Sequence, residues 1–215
     1  MRRLHEAQQE ESAGKFPVVF PTSVLQAACE RVYPRASTLC GMDAASPFFA
    51  LARNNAWSNR RFHAACAKLS QADFEAPRTS FFPTLQATLN HIYTVDTYYI
   101  DGLEGGGRGL ALLENPIPHP RMAELSTAQF GSDARLIRFC EALDDPGLER
   151  EIELDRGDEG LTKEKVHAVL AHLFMHQTHH RGQAHAMLSG TSVAPPQLDE
   201  FFLAYDLPRR TGERI

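Results

Sequence analysis

The sequence has no apolar run long enough to cross a membrane, which argues against an integral helical membrane protein. Its first residues carry charge without an apolar core, so a secretory signal peptide is not expected. Basic charge is not in excess either, since 22 Lys and Arg stand against 27 Asp and Glu. No basic cluster with interleaved aromatic residues offsets this balance, so a nucleic-acid-binding surface is not expected. We expect a cytoplasmic protein that acts without membrane or nucleic acid.

Cysteine is scarce, and no motif is built from it. Four cysteines without a C-x-x-C pair make neither a disulfide framework nor a cysteine-based zinc site, so reduced thiols are expected. A GxSxG motif and a Walker A motif are both missing. The Gly-rich run at 102–109 follows a helical segment and precedes a proline-rich stretch, so it is interpreted as a loop and not as a phosphate site.

Histidine, by contrast, is concentrated in one place. Six of the ten histidines lie in residues 163–189, a proline-free segment that predicts one long helix. Its apolar positions recur at steps of three and four, as they do on the buried face of a helix. At three successive steps the residue is polar: His176, His180 and Gln183. Because a polar group buried without a partner costs about 1–3 kcal/mol, this stretch indicates a polar site inside the protein.

Four segments have the residue spacing of an amphipathic helix. They are residues 47–70, 80–103, 120–143 and 163–189. Four long helices joined by long connections predict an all-α fold, an antiparallel four-helix bundle. A short amphipathic piece at 197–205 predicts a further C-terminal helix that covers one end of the bundle.

Boundary residues make this prediction more specific. The second helix is expected to be capped by Ser80 or Thr79, with Pro83 in its first turn. Thr162 is the expected N-cap of the last helix. Residues 148–154 alternate loosely between polar and apolar, which predicts a short strand or an extended loop.

The two ends of the chain differ from the middle. Residues 1–41 contain three prolines and no lasting helical stripe. We expect them to be a poorly ordered N-terminal extension or sequence upstream of the true start; a short helix docked outside is the alternative. The bundle domain is expected over residues 42–207, and residues 208–215 form a charged tail.

The histidine spacing predicts a metal centre. His176 and His180 are one turn apart, so both imidazoles point from the same face of the helix, the spacing with which two histidines bind one metal ion. His91, in the middle of the second helix, is the candidate third ligand. Three imidazoles with open coordination positions are typical of a catalytic site, and they suit zinc, nickel, iron or copper. His172 could replace His176, but we favour a place beside the site.

Further polar residues fall on the predicted buried faces. Asp96 is either an acceptor that locks a helix contact, or a residue that fixes a ligand tautomer or acts as a general base. Asn55 and Asn59 hold the middle of the first helix and are interpreted as hydrogen-bonding residues of a polar core.

Three stretches together resemble the DinB family of the DinB/YfiT-like metalloenzymes, which are damage-inducible four-helix bundles. They are HLFMHQTHHRGQAHAMLS at 172–189, TLNHIYTVDTYYIDGL at 88–103 and ARNNAWSNRRF at 52–62. The resemblance spans residues 42–205. It implies a metal held by one His of the second helix and an HxxxH pair of the last bundle helix, positions that fall on His91, His176 and His180. Where family members often have Trp, this chain has Tyr98 or Tyr99, which changes the pocket wall.

The resemblance also implies a class of reactions. The superfamily includes thiol S-transferases and a thiol-dependent maleylpyruvate isomerase. The first expectation is therefore a metal-dependent transferase or isomerase that joins a low-molecular-weight thiol to a small electrophile in stress or detoxification. Asp96, Asn59 and Gln183 would orient ligands or substrate. A metal-dependent hydrolase and a non-catalytic metal-binding stress-response protein stay open as alternatives. The expected ion is zinc or nickel, with iron, manganese or copper as alternatives, and the expected assembly is a homodimer.

Overall fold

Four long helices dominate the computed structural model, which describes residues 45–198. The elements in chain order are α1 (Ser46–Cys66), α2 (Gln71–Glu75), α3 (Leu85–Glu104), a 3-10 turn (Gly109–Leu112), α4 (Met122–Glu141), α5 (Asp145–Glu149), β1 (Glu151–Asp155), a second 3-10 turn (Gly157–Glu159), β2 (Leu161–Lys165) and α6 (Val166–Ser189). The predicted all-α fold is confirmed. The N-terminal extension, the tail and nearly all of the expected 197–205 helix lie outside the described residues.

Two apolar clusters hold the long helices together, one at each end. The hairpin-side cluster includes Ala52, Leu103, Leu136 and Leu170 with Ile152 and Leu154 of β1. The far cluster includes Phe62, Leu85, Leu125 and Leu188. Each long helix has buried polar residues between its parts of the two clusters, among them Asn59, Asp96, Asp133 and Arg181. The core is therefore layered, with a polar layer between two apolar ones.

The clusters also fix the direction of each helix. Along the chain, α1 and α6 run from the hairpin-side cluster to the far cluster, whereas α3 and α4 run the other way. The helices contact one another in a ring, α1 with α4, α4 with α3, α3 with α6 and α6 with α1. The expected antiparallel order thus describes α1–α4 and α3–α6. The other two neighbouring pairs run parallel, which the long connection 105–121 makes possible between α3 and α4.

Helix α3 begins later than predicted. Its N-cap is Thr84, whose Oγ1 accepts a hydrogen bond from the backbone N–H of Ala87 at 2.9 Å. Ser80 and Thr79 are therefore not the cap, and Pro83 precedes the helix. The prediction failed because the apolar spacing continues upstream through Phe82. This residue precedes the helix, and its ring packs against those of His91 and His180. At the other end, Gly105 adopts a left-handed conformation with φ 72° and closes the helix, as expected for a glycine at this position.

Residues 163–165 are strand and not helix. β1 and β2 pair in an antiparallel hairpin with Glu151 opposite Lys165 and Asp155 opposite Leu161. Thr162 lies inside β2 and does not cap α6. The strand alternative for 148–154 is confirmed from Glu151 onward, because Ile152 and Leu154 alternate into the core. Residues 145–149 instead form a short helix capped by the Asp144 side chain.

The first and third predicted helices are slightly shorter than expected. The 47–70 segment ends as a helix at Cys66, and the 120–143 segment is helical over Met122–Glu141. Among the helices of residues 45–198, none has both the length and the hydropathy to cross a membrane.

Candidate metal centre

Three histidines converge between α3 and α6. His91 comes from α3, and His176 and His180 come from α6. One ring nitrogen from each residue can be chosen so that all three lie within 4.8 Å of one another. Within residues 45–198 this is the only group of its kind. We call it the three-histidine centre; it consists of the residues that the sequence selected as metal ligands.

Helix geometry brings the rings together. The His176 and His180 ring centroids are 4.5 Å apart, because the residues lie one turn apart on α6. The His91 ring lies 4.9 Å from that of His176 and 4.5 Å from that of His180. Nε2 of His91 and Nε2 of His176 are 3.0 Å apart.

The electrostatics keep these imidazoles neutral. Burial, followed by the neighbouring His180, lowers the pKa of His91 to about 4. The same two causes, in the same order, lower the pKa of His176 to about 3. Burial also lowers the pKa of His180. At neutral pH each ring therefore keeps one nitrogen lone pair, which a metal ion needs and a protonated histidine lacks.

A hydrogen bond fixes one ligand in the tautomer that metal binding requires. Nδ1 of His180 lies 2.8 Å from Oε1 of Gln183. An amide oxygen can only accept, so Nδ1 carries the proton and Nε2 has the free lone pair. Gln183 in turn contacts Nε2 of His179 through its amide nitrogen at 3.1 Å. Gln183 therefore contacts one of the three histidines directly, and its expected role in orienting a ligand stays a prediction.

The donor set fits a divalent metal ion. With metal–nitrogen bonds of about 2.0–2.1 Å, two ligand atoms of a tetrahedral site lie about 3.3 Å apart. The 3.0 Å between Nε2 of His91 and Nε2 of His176 is close to that spacing. His91, His176 and His180 would hold the ion.

Aromatic side chains form the walls of the three-histidine centre. The Phe82 ring lies 4.3 Å from that of His91 and 5.6 Å from that of His180. This contact was not predicted, because Phe82 falls within the segment 80–103 that was expected to be helical. On the other side, the exposed His172 ring lies 6.3 Å from that of His176 and 5.2 Å from that of the buried Tyr99. His172 therefore borders the centre without belonging to the group of three.

Asp96, Asn55 and Asn59 belong to a second polar centre. We call it the carboxylate network, and it consists of Asn55, Asn59, Asp96, Gln129, Asp133 and Arg181. Nη1 of Arg181 donates to Oδ1 of Asn55 at 2.5 Å and to Oδ1 of Asn59 at 3.0 Å. Both asparagines donate onward to Asp133, at 3.2 and 3.0 Å. The interpretation of the two asparagines as hydrogen-bonding residues describes these contacts.

Asp96 joins the network through Gln129. Nε2 of Gln129 donates to Oδ2 of Asp96 at 2.8 Å and to Oδ1 of Asp133 at 3.1 Å. Burial, and then the charge of Asp133, raise the pKa of Asp96 to about 8. Burial likewise raises the pKa of Asp133 to about 6. At neutral pH we therefore expect a protonated Asp96 and an ionised Asp133 facing Arg181. Of the roles considered for Asp96, the acceptor that locks a helix contact matches these hydrogen bonds.

Gln129, Asp133 and Arg181 were not predicted from the sequence. The sequence did contain a hint of them, because each is a polar residue in the middle of its helix, at the level where α1 and α3 also carry buried polar residues. Their pairing across the bundle is visible only in three dimensions.

Comparisons with known proteins agree on one family. Residues 42–210 match the model of the DinB family. Protein DinB of Bacillus subtilis (strain 168) is 25% identical over 154 residues, which cover 68% of this chain and 88% of that protein. The crystal structure of a DinB-like protein from Bacillus cereus ATCC 10987 aligns with a TM-score of 0.51 at 15% identity, covering 66% of this chain and 90% of that one. At such identity the structural likeness concerns the fold alone.

Proposed function

The chain belongs to the DinB family, and from this premise we propose that it is a metal-dependent enzyme that joins a low-molecular-weight thiol to a small electrophile. One observation carries the proposal: three neutral imidazoles from two helices present nitrogens within 4.8 Å of one another. Three protein ligands leave at least one coordination position for a reacting molecule, as in catalytic and not structural sites.

The residues around the centre suit this chemistry. When bound, the ion supplies a Lewis acid that lowers the pKa of a thiol. Gln183 holds His180 in the required tautomer. Phe82 shields His91 and His180 on one side. The exposed His172 lies beside His176, with 6.3 Å between the two rings.

The bond changes of the proposed reaction balance without a further reactant. The S–H bond of the thiol breaks, and its proton passes to solvent. A sulfur–carbon bond to the electrophile forms, and the leaving group departs with the electron pair of its own bond. In the isomerase version, sulfur adds to an activated double bond and is expelled after rotation about that bond.

The first test is metal content by elemental mass spectrometry. We expect about one ion per chain in the wild type and its loss in His91→Ala and in His176→Ala. His167→Ala is the matched control, because His167 lies on the same helix but is half-exposed beside Glu149. Equal metal in the wild type and in both ligand variants would refute the three-histidine assignment.

A second test separates thiol transfer from the alternatives. The metal-loaded protein is incubated with an activated aryl halide, with and without 2-mercaptoethanol, and halide release is measured. Release that requires the thiol supports the transferase. Release without thiol indicates a hydrolase, and bound metal without either activity indicates a binding protein.

A further inference from the structure

A small hollow lies next to His172, the residue that borders the three-histidine centre. It has a volume of about 280 Å³ and is lined by Tyr99, Arg156, Glu164, Ala168, Val169 and His172. Its lining residue His172 has a ring 6.3 Å from that of the expected ligand His176. The ring of the buried Tyr99 lies 5.2 Å from that of His172. A small molecule that occupies the hollow would therefore contact His172, the neighbour of the expected ligand His176.

The hollow contains one cation, the guanidinium of Arg156. It is held by neutral partners, since Nη1 donates to the hydroxyl of Tyr99 at 3.1 Å and Nε donates to Oγ1 of Thr162 at 3.3 Å. It also lies over the Tyr99 ring, with Cζ 5.6 Å from the centroid. These contacts fix the orientation of the guanidinium.

No carboxylate pairs with this guanidinium among residues 45–198. Ion pairs of the other side chains are formed elsewhere, as between Arg135 and Glu104. Glu164 lines the same hollow but lies beyond the 4.0 Å limit of an ion pair. Arg156 is only partly exposed, so its charge is incompletely hydrated. The charge of Glu164 still acts on Arg156 from that distance. An oriented, partly buried guanidinium that forms no direct ion pair can receive a further acidic group.

The hairpin holds Arg156 in place. The backbone N–H of Arg156 donates to the carbonyl of Gly160 at 2.9 Å, which closes the turn between the strands. Gly157 and Gly160 have positive φ values of 68° and 78°, which the turn requires and which favour glycine. The hydroxyl of Tyr98 donates to the carbonyl of Asp155 at 2.5 Å and ties the hairpin to α3. The position of Arg156 relative to the centre is therefore built into the fold.

We propose that Arg156 is an anion-binding residue of the active site and that the molecule which reacts there carries a carboxylate. This inference rests on the proposed function, because it takes the three-histidine centre as the reacting end. The carboxylate belongs either to the thiol or to the electrophile, and the experiment distinguishes the two.

The test measures binding and not turnover. Zinc-loaded wild type and Arg156→Gln are titrated calorimetrically with 6-mercaptohexanoate and with its neutral analogue 6-mercaptohexan-1-ol. A second pair of probes is 4-chloro-3-nitrobenzoate and 4-chloro-3-nitrobenzamide. In one of the two pairs, we expect the wild type to bind the acid about tenfold or more tightly than the neutral analogue, the range for a charged hydrogen bond. Arg156→Gln is expected to lose that preference and keep its metal.

Two controls make the result specific. Arg135→Gln removes the same charge from an ion pair with Glu104 away from the hollow, and it is expected to keep the preference. Arg156→Lys keeps the charge but loses the planar fork, and it is expected to retain part of the preference. Equal affinity of the wild type for acid and neutral probes in both pairs would overturn the subsite. Metal content, measured on the same samples, reports separately on the proposed metal centre.

Discussion

Two polar centres share the middle layer of this molecule, and they are built from the same helices in opposite ways. Helix α6 gives His176 and His180 to the three-histidine centre and Arg181 to the carboxylate network. Helix α3 gives His91 to the first and Asp96 to the second. In the first centre, ring nitrogens of three histidines lie close together, where they could hold an ion. In the second, side-chain hydrogen bonds join all four long helices, although Oδ1 of Asp96 and Oε1 of Gln129 have no partner among the described residues. The arrangement of the polar groups, more than their burial, therefore separates the two centres.

The largest expected effect is the loss of stability on replacing Arg181 of the carboxylate network. Arg181→Met removes the donor shared by Asn55 and Asn59 and the cation that faces Asp133. We expect the free energy of unfolding to fall by about 3–5 kcal/mol, the cost of leaving a buried charge unpaired. Urea denaturation in the presence of a chelator measures it. Arg135→Met is the control and should change stability by about 1 kcal/mol or less, because its ion pair is at the surface.

A substitution of His176 in the three-histidine centre should change stability only when metal is bound. In the metal-free protein, His176→Leu removes a buried Nδ1 that has no partner among the described residues, so no loss of stability is expected. With free zinc at a hundred times its dissociation constant, the wild type should gain about 2.7 kcal/mol and the variant nothing. Thermal unfolding with zinc and with chelator gives both values. An equal zinc-dependent gain in the variant would remove His176 from the ligands.

Replacing Gln183 should change metal affinity, because its hydrogen bond is made to the expected ligand His180 and not to the core. Gln183→Leu leaves Nδ1 of His180 without its acceptor. We expect metal affinity to fall about 10–100-fold, the usual effect of losing such a partner. Competition with a chromogenic zinc chelator measures the affinity. An unchanged affinity would mean that the tautomer of His180 is set by something else.

A pH dependence of the free energy of unfolding is also expected from Asp96 in the carboxylate network. The pKa of Asp96 is raised from 3.8 to about 8 on folding. The folded state therefore binds this proton more tightly, so its stabilisation is complete below pH 4 and is lost as the pH rises toward 8. Within that window Asp96 should lower stability by about 1 kcal/mol per pH unit. Unfolding of metal-free wild type and Asp96→Asn at several pH values isolates the contribution. Parallel curves for the two proteins would contradict it.

Local sequence patterns were enough for the long helices and for the three-histidine centre. Apolar spacing located α1, α3, α4 and α6, because each buries one face along its length. The turn between His176 and His180 is itself a local property of a helix. The carboxylate network was different, since Arg181 and Asn55 are 126 residues apart in the sequence and only packing brings them together.

The β-hairpin and Phe82 show a second limit of the sequence. Residues 163–165 continue into α6 without a proline or glycine, so nothing local separates strand from helix. They form a strand because β1 supplies a pairing partner in an antiparallel register. Phe82 fitted the helical spacing of α3, but Thr84 caps the helix first. In both cases a longer-range or competing hydrogen bond decided the structure.

The adjacency of His180 and Arg181 determines where this chain can tolerate insertions. Each residue turns a helix by about 100°, so one residue inserted in α6 before His176 would misalign both polar centres in a single step. One residue inserted in the connection 105–121 would add little loop entropy and rotate no helix that carries a ligand. A scan of single insertions should therefore show tolerance in that connection and an abrupt loss of folded protein in α6. The spacing of residues within that helix is under stricter constraint than the identity of most of them.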